Sequence, residues 1–151
     1  GRCDAVTTDS SGLASQKATA ADPTDYRILG EVISKEPLAP FVAQNDSKWL
    51  DVVSWTVYST IYAEELNLTS RNIDAAKSSP DPVVRRFLGL EGTSGKGLGL
   101  SADFAVDIIK AVGSYKEIFD RNLGPKTKLN LPRRQNANYE QGGLLYSPPF
   151  R

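Results

Sequence analysis

The chain has 151 residues, and its 18 Lys and Arg balance its 18 Asp and Glu, so the formal net charge is zero. That length suits one domain or two incomplete lobes, and the absence of basic excess argues against nucleic acid or an anionic membrane surface as a partner. One cysteine, Cys3, and no histidine exclude Cys–His, Ser–His and zinc-hydrolase chemistry in their usual forms.

The first nine residues, GRCDAVTTD, predict a short strand from Cys3 to Thr7 and a turn that ends at Asp9, directly before a helix over residues 10–21. Asp9 as a simple helix N-cap would contribute about 1 kcal/mol. Alternatively, its carboxylate holds a cation beyond the strand end, where open α/β folds place their ligands. We interpret Cys3 as a small buried residue of the strand, with half of a disulfide to a cysteine upstream of residue 1 as the alternative. Because the chain opens without Met, we expect it to be the later part of a longer protein.

Three further extended segments follow. Residues 26–33 predict a strand, since Tyr26, Ile28, Val32 and Ile33 favour β structure. The segment SKEPLAP predicts an extended crossing, because its prolines bias the residues before them away from helix. Residues 41–43 predict a short strand.

The strongest predicted element is a helix that one of residues 45–47 caps and that runs to about Asn67. Its apolar face combines residues at spacings of three and four with a stripe of aromatic residues: Leu50, Val53, Val57 and Ile61, with Trp55, Tyr58 and Tyr62. We interpret the aromatic stripe as core, not as a platform for a ligand. The adjacent Glu64 and Glu65 do not face one another on a helix, so we place them on its solvent side.

Shorter helices complete the pattern. They are predicted to begin at Thr69 or Ser70, at Pro82 behind an Asp81 cap, at Ser101, and at Tyr115. Gly113 is predicted to end the third of these. The tail from residue 126 is irregular and is expected to form no core of its own.

The loop EGTSGKGLG resembles a phosphate-binding loop only superficially. Leu90 stands where the first glycine should be, and Gly97 stands where the Mg²⁺-binding hydroxyl should be. We therefore predict a flexible connector between helices.

Three stretches, distributed along the chain from its first residue to its last, carry a family resemblance: GRCDAVTTDSSGLAS, EVISKEPLAPFVAQNDSKWLDVV, and VGSYKEIFDRNLG with the closing NYEQGGLLYSPPFR. The chain resembles the C-terminal part of a periplasmic solute-binding protein of the polar, general L-amino-acid ABC transporters (extracellular solute-binding protein family 3). The resemblance implies an α/β, partial type II periplasmic-binding-protein fold that is rich in helix. Residues 1–32 would end the second lobe, residues 33–37 would form the hinge crossing, and residues 38–151 would form the C-terminal share of the first lobe.

The same resemblance implies which residues bind. Asp9 matches the aspartate that binds the ligand's ammonium group, with Thr8 and Thr7 at the cleft edge, whereas the arginine that clamps the α-carboxylate belongs to a stretch before residue 1. The implied function is capture of polar L-amino acids in the periplasm and delivery to an ABC permease, without catalysis, cofactor, metal or nucleic acid.

The implied partners are a free L-amino acid, the permease, and the missing N-terminal lobe or a second copy of the chain. We expect the isolated chain to bind amino acids weakly or not at all. The alternative is a helical interaction module derived from this fold that binds no ligand.

Overall fold

The computed structural model describes residues 2–35 and 37–151, and regular structure in this part of the chain is helical. Its α-helices are α1 (Ser10–Thr19), α2 (Ser47–Glu65), α3 (Pro82–Phe87), α4 (Ser94–Leu98), α5 (Phe104–Val112) and α6 (Tyr115–Asn122). Short 3₁₀ helices cover Pro23–Asp25, Ala75–Ser78, Arg134–Asn136 and Tyr139–Gln141. The prediction of a helix-rich chain is confirmed.

The predicted strands at residues 3–7, 26–33 and 41–43 are wrong for the described residues, where β pairing is limited to a bridge between Asn138 and Leu145. A strand needs a neighbouring strand whose N–H and C=O groups complete its ladder. No such neighbour pairs with these segments in the described part of the chain. Cys3 is exposed, so its predicted burial on a strand is also wrong. Gly1 and the part of the predicted crossing at Glu36 lie outside the described residues.

The chain divides into two compact units. The first contains the described residues up to Ala39 together with Asp120–Pro132. Ala14 is the one buried apolar side chain that the described residues of this unit provide, whereas a series of larger ones is exposed: Val6, Tyr26, Ile28, Leu29, Val32 and Ile33. This unit therefore buries little apolar surface of its own.

The second unit, Pro40–Phe119 with Arg133–Arg151, holds the main hydrophobic core. Here α2 begins behind Asp46, whose carboxylate accepts a hydrogen bond from the Trp49 N–H at 3.0 Å. Asp46 is one of the three cap candidates that the sequence offers. The helix packs against α4 and α5. The predicted apolar face is buried at Ile61 but 50% exposed at Leu50, because the first turns of α2 extend beyond the core.

Phe150, from the tail, lies at the centre of this core. Its ring packs against Trp55 at 5.0 Å, Phe87 at 5.1 Å and Tyr62 at 5.4 Å between centroids. Trp55 and Tyr62 of the aromatic stripe on α2 thus pack against the core, as predicted, although both side chains are only partly buried. The tail builds no separate core, as expected, and it supplies a central side chain to this one.

The remaining helix boundaries follow local signals with two exceptions. Asp81 accepts a hydrogen bond from the Val83 N–H at 2.8 Å and Pro82 opens α3, as predicted, and Gly113 ends α5 with a φ of 79°. However, α5 begins at Phe104, not behind a Ser101 side-chain cap. The helix predicted from residue 69 or 70 is reduced to turns and a 3₁₀ helix.

Candidate functional site

The three residues predicted to bind a ligand, Thr7, Thr8 and Asp9, are consecutive and exposed. They form an extended segment that leads directly into α1. Asp9 has φ −53° and ψ 145°, so the chain changes from extended to helical conformation at this residue. The structure thus presents two hydroxyls and one carboxylate together at the start of a helix.

Asp9 starts α1 through its backbone and not through its side chain. Its carbonyl oxygen accepts a hydrogen bond from the Leu13 N–H at 2.9 Å, which is the first bond of the helix. The carboxylate makes no capping hydrogen bond. The simple capping role considered from the sequence is therefore not fulfilled, and the carboxylate of this exposed residue is left to interact with solvent or a ligand.

Gly12, in the first turn of α1, makes room for Thr8. A Cβ atom at Gly12 would lie 3.2 Å from Cγ2 of Thr8, closer than side chains usually approach. The absence of a side chain at Gly12 therefore allows Thr8 to lie over the helix start beside Asp9.

Chemically, this segment suits the ammonium group of a ligand. A carboxylate is a strong acceptor for N⁺–H donors, and such bonds contribute about 1.5–3 kcal/mol. Threonine hydroxyls add acceptors that also serve as donors.

Among the described residues, no group of three His, Cys, Asp or Glu side chains is arranged to hold a metal ion. No helix within the described ranges combines the length and apolar character that a membrane crossing needs.

In the second unit, the pair Glu64 and Glu65 was misplaced by sequence reasoning. Glu64 is buried, and both of its oxygens accept hydrogen bonds from the Arg133 guanidinium at 3.0 Å. Glu65 is half-buried and accepts a hydrogen bond from the Ser147 N–H at 3.0 Å. The predicted solvent-facing position is wrong for both residues, because the tail covers this end of α2.

Glu117 is a polar centre that sequence reasoning did not identify. Its carboxylate accepts hydrogen bonds from the N–H and hydroxyl groups of Ser70 and Ser114, at 2.7–3.3 Å. Burial by itself would raise the pKa of Glu117, but these hydrogen bonds together lower it. The spacing Ser114-x-x-Glu117 is that of a capping box, which is the sequence signal that could have revealed it.

The glycine-rich loop is structured, so its interpretation as a flexible connector is wrong. It contains α4, and a Cβ atom at Gly95 would meet the Ser101 carbonyl oxygen at 2.0 Å. Close packing, not mobility, therefore requires this glycine. A cavity of about 600 Å³ lies beside the loop, with Asp51, Trp55, Lys96 and Arg151 among its lining residues.

The whole chain is similar to amino-acid-binding proteins of ABC transporters. It is 50% identical to the general L-amino acid-binding periplasmic protein AapJ of Rhizobium johnstonii. It is 49% identical to the glutamate/glutamine/aspartate/asparagine-binding protein BztA of Rhodobacter capsulatus, and 41% identical to the putative amino-acid ABC transporter-binding protein YhdW of Escherichia coli. Each match covers 100% of this chain and 45% of the relative. No protein-family model matches the chain.

A solved structure gives the same result. The chain matches an ABC transporter/periplasmic binding protein from Brucella ovis, determined with glutathione bound, at 46% identity and a TM-score of 0.95. The match covers 100% of this chain and 48% of that one. The resemblance inferred from the sequence is thus confirmed, and the chain spans about half the length of the relatives it matches.

Proposed function

We propose, from this similarity to periplasmic amino-acid-binding proteins of ABC transporters, that the chain is part of a protein that binds an amino acid in the periplasm and delivers it to an ABC permease. The relatives are named as binding proteins, which favours a transport role without catalysis. The alternative of a helical interaction module without a ligand is not favoured by these comparisons.

The segment Thr7–Thr8–Asp9 is our candidate for the part of the site that binds the ligand's ammonium group. The observation that carries this assignment is the exposed Asp9 carboxylate, which makes no capping bond to the helix that it begins. A carboxylate without an internal donor gains most from an external cation, because it gives up no protein hydrogen bond on binding. Thr8 and Thr7 would then contact the ligand at the edge of the site.

The binding site is proposed to be shared with sequence that this chain does not contain. In this proposal residues 1–32 belong to the second lobe, residues 33–37 to the hinge crossing and residues 38–151 to the first lobe. If three charge-assisted hydrogen bonds come from elsewhere, at about 1.5–3 kcal/mol each, roughly 4.5–9 kcal/mol of binding is absent from this chain. A micromolar site is worth about 8 kcal/mol, so the chain alone should bind at millimolar concentration or more weakly.

We infer that the ligand class is defined by a free α-amino and α-carboxylate head group. Amino acids carry this group, and so does the γ-glutamyl residue of glutathione, the ligand of the Brucella ovis structure. An aspartate positioned for the α-ammonium would serve both kinds of ligand. Preference among side chains would then be set by residues farther from this head group.

The test measures ligand affinity by calorimetry. The protein used is a fusion of this chain with the part of the relatives' sequence that this chain does not match. Glutamate, glutamine, aspartate, asparagine and glutathione form the ligand panel. Asp9→Asn should weaken binding at least about 100-fold, the equivalent of about 2.7 kcal/mol. Asp25→Asn, a change at another exposed aspartate of the same unit, should leave it unchanged. Equal affinity of the Asp9 variant and the parent would overturn the assignment of Asp9, and binding of no ligand by the parent would overturn the transport function.

The isolated 151-residue chain provides the second arm. We expect no saturable heat below millimolar ligand. A micromolar dissociation constant for this chain would contradict the proposal that the site is shared, without contradicting a role in amino-acid binding.

A further inference from the structure

Another cavity of the second unit lies where the C-terminal end of α2 meets the tail. Its volume is about 400 Å³, within the range of small-molecule sites. The lining residues are three tyrosines, one carboxylate and two small tail residues: Tyr62, Tyr139, Tyr146, Glu65, Ser147 and Pro149. Aromatic rings around a carboxylate are the composition that proteins use for organic cations.

Glu65 supplies the negative charge of this cavity. One of its oxygens, Oε1, accepts the hydrogen bond from the Ser147 N–H at 3.0 Å. Its other oxygen accepts no hydrogen bond in the described part of the chain. Burial raises the pKa of the Glu65 carboxyl, and the nearby carboxylates of Glu140 and Glu64 add to this effect. A cation in the cavity would offset the cost of desolvating the Glu65 carboxylate and the repulsion between Glu65 and its acidic neighbours.

Three tyrosine rings line the cavity, and the π-system of a tyrosine ring can attract a cation. Tyr62 is fixed by stacking on Phe150, with ring centroids 5.4 Å apart and planes at 7°. Tyr139 and Tyr146 are 54% and 65% exposed, so a ligand that covers them removes aromatic surface from water. The cavity thus combines one rigid ring with two rings on the tail.

The charges around the cavity favour a cation. Arg133 already neutralises Glu64 through two hydrogen bonds, whereas Glu65 has no ion-pair partner among the described residues. The Glu140 carboxylate lies close enough to raise the pKa of Tyr139. Arg86 is the positive group whose charge partly offsets the rise in the pKa of Tyr62. The immediate surroundings of Glu65 are therefore acidic.

We propose that this cavity binds an organic ammonium ion, with Glu65 as its counter-ion and the three tyrosines as cation–π contacts. The proposal is independent of the function proposed above. It concerns other residues in the other unit, and it requires no part of the Asp9 segment.

The test measures binding of choline to the 151-residue chain by NMR titration, with 3,3-dimethylbutan-1-ol as the neutral analogue of the same shape. We expect saturable choline binding with a dissociation constant on the order of 1 mM. The neutral analogue should bind at least about tenfold more weakly, because it lacks the charge that the rings and Glu65 attract. No saturation by choline, or equal binding of the two compounds, would overturn the proposal.

Three variants locate the site. Glu65→Gln should weaken choline binding about tenfold, and Tyr146→Leu should weaken it several-fold at an exposed position where folding is little affected. Asp51→Asn removes a carboxylate from the same helix outside this cavity and should leave binding unchanged. An equal loss in the Asp51 variant would show a non-specific charge effect and would contradict the assignment.

Discussion

Arg133 and Glu64 form a bidentate ion pair across 69 residues of sequence, with both N···O distances at 3.0 Å. The Arg133 guanidinium also lies over the rings of Tyr115 and Phe119, at 5.4 and 5.5 Å, and donates to the Asn136 carbonyl. The Glu64 side chain is 6% exposed and that of Arg133 is 15% exposed. This pair therefore fixes the start of the tail segment against the last turns of α2.

Glu64→Gln should destabilise the fold strongly, because it leaves a buried guanidinium without its counter-charge. We expect a loss of about 3–5 kcal/mol in the free energy of unfolding, measured with urea. Glu91→Gln is the matched control, since Glu91 pairs with Arg85 in a half-exposed position; it should cost less than about 1 kcal/mol. Similar losses in the two variants would show that the Glu64 pair contributes no more than a surface pair.

Phe150→Ala should open a hole at the centre of the aromatic cluster. The expected loss is about 3–5 kcal/mol, in line with other large-to-small changes of buried phenylalanine. Phe41→Ala, at a position that is 96% exposed in the same unit, should change stability by less than about 0.5 kcal/mol. A small effect at Phe150 in thermal unfolding would mean that the tail is dispensable for the core.

The two aspartates that precede α2 and α1 should behave differently. Asp46→Ala removes a hydrogen bond to the Trp49 N–H and should reduce the local stability of the first turn of α2 by about 1 kcal/mol. Asp9→Ala removes no such bond and should change the first turn of α1 by less than about 0.5 kcal/mol. Amide hydrogen exchange of the two helix starts measures both, and equal changes would show that the Asp9 side chain caps α1 in solution.

Glu117 should stabilise the fold at neutral pH but not in acid. Its pKa is lowered because the hydrogen bonds from Ser70 and Ser114 outweigh burial, so its contribution is present above its ordinary value of 4.5 and is lost as the pH falls through the lowered pKa. Glu117→Gln should therefore cost about 1–2 kcal/mol at pH 7. The difference from the parent should shrink towards pH 3 in urea titrations, and a constant difference at all pH values would contradict the assignment.

Glu65 should show the opposite sign. Burial raises its pKa, so the protonated form is favoured in the folded state, and the stabilisation is present below the ordinary pKa and is lost as the pH rises through the raised value. Glu65→Gln, which is neutral at every pH and keeps an acceptor for the Ser147 N–H, should match the parent near pH 4. At pH 7 it should be more stable than the parent, and a less stable variant at pH 7 would contradict this explanation.

Local signals in the sequence were sufficient for most of the helices. The boundaries of α2, α3 and α6 follow from apolar spacing, from the caps at Asp46 and Asp81, and from proline at the first position of α3, because these effects act within one or two turns. The extended segments were predicted from composition alone, but strand formation depends on a neighbouring strand, which no local pattern supplies. The family resemblance came from the same sequence, whereas the roles of Asp9, Thr8 and Thr7 stay predictions.

What the sequence alone determined is the helical framework and the kinship with amino-acid-binding proteins. The tertiary structure alone decided the partners of Glu64, Glu65 and Phe150, since each of these side chains meets residues of the tail or core that are far away in sequence. A carboxylate at the edge of an isolated helix is solvated, and the identical carboxylate becomes buried once the tail folds over it. The free energy of an ionised carboxylate depends on the surroundings that the whole chain builds. The positions of Glu64 and Glu65 along the helix could therefore not predict their burial.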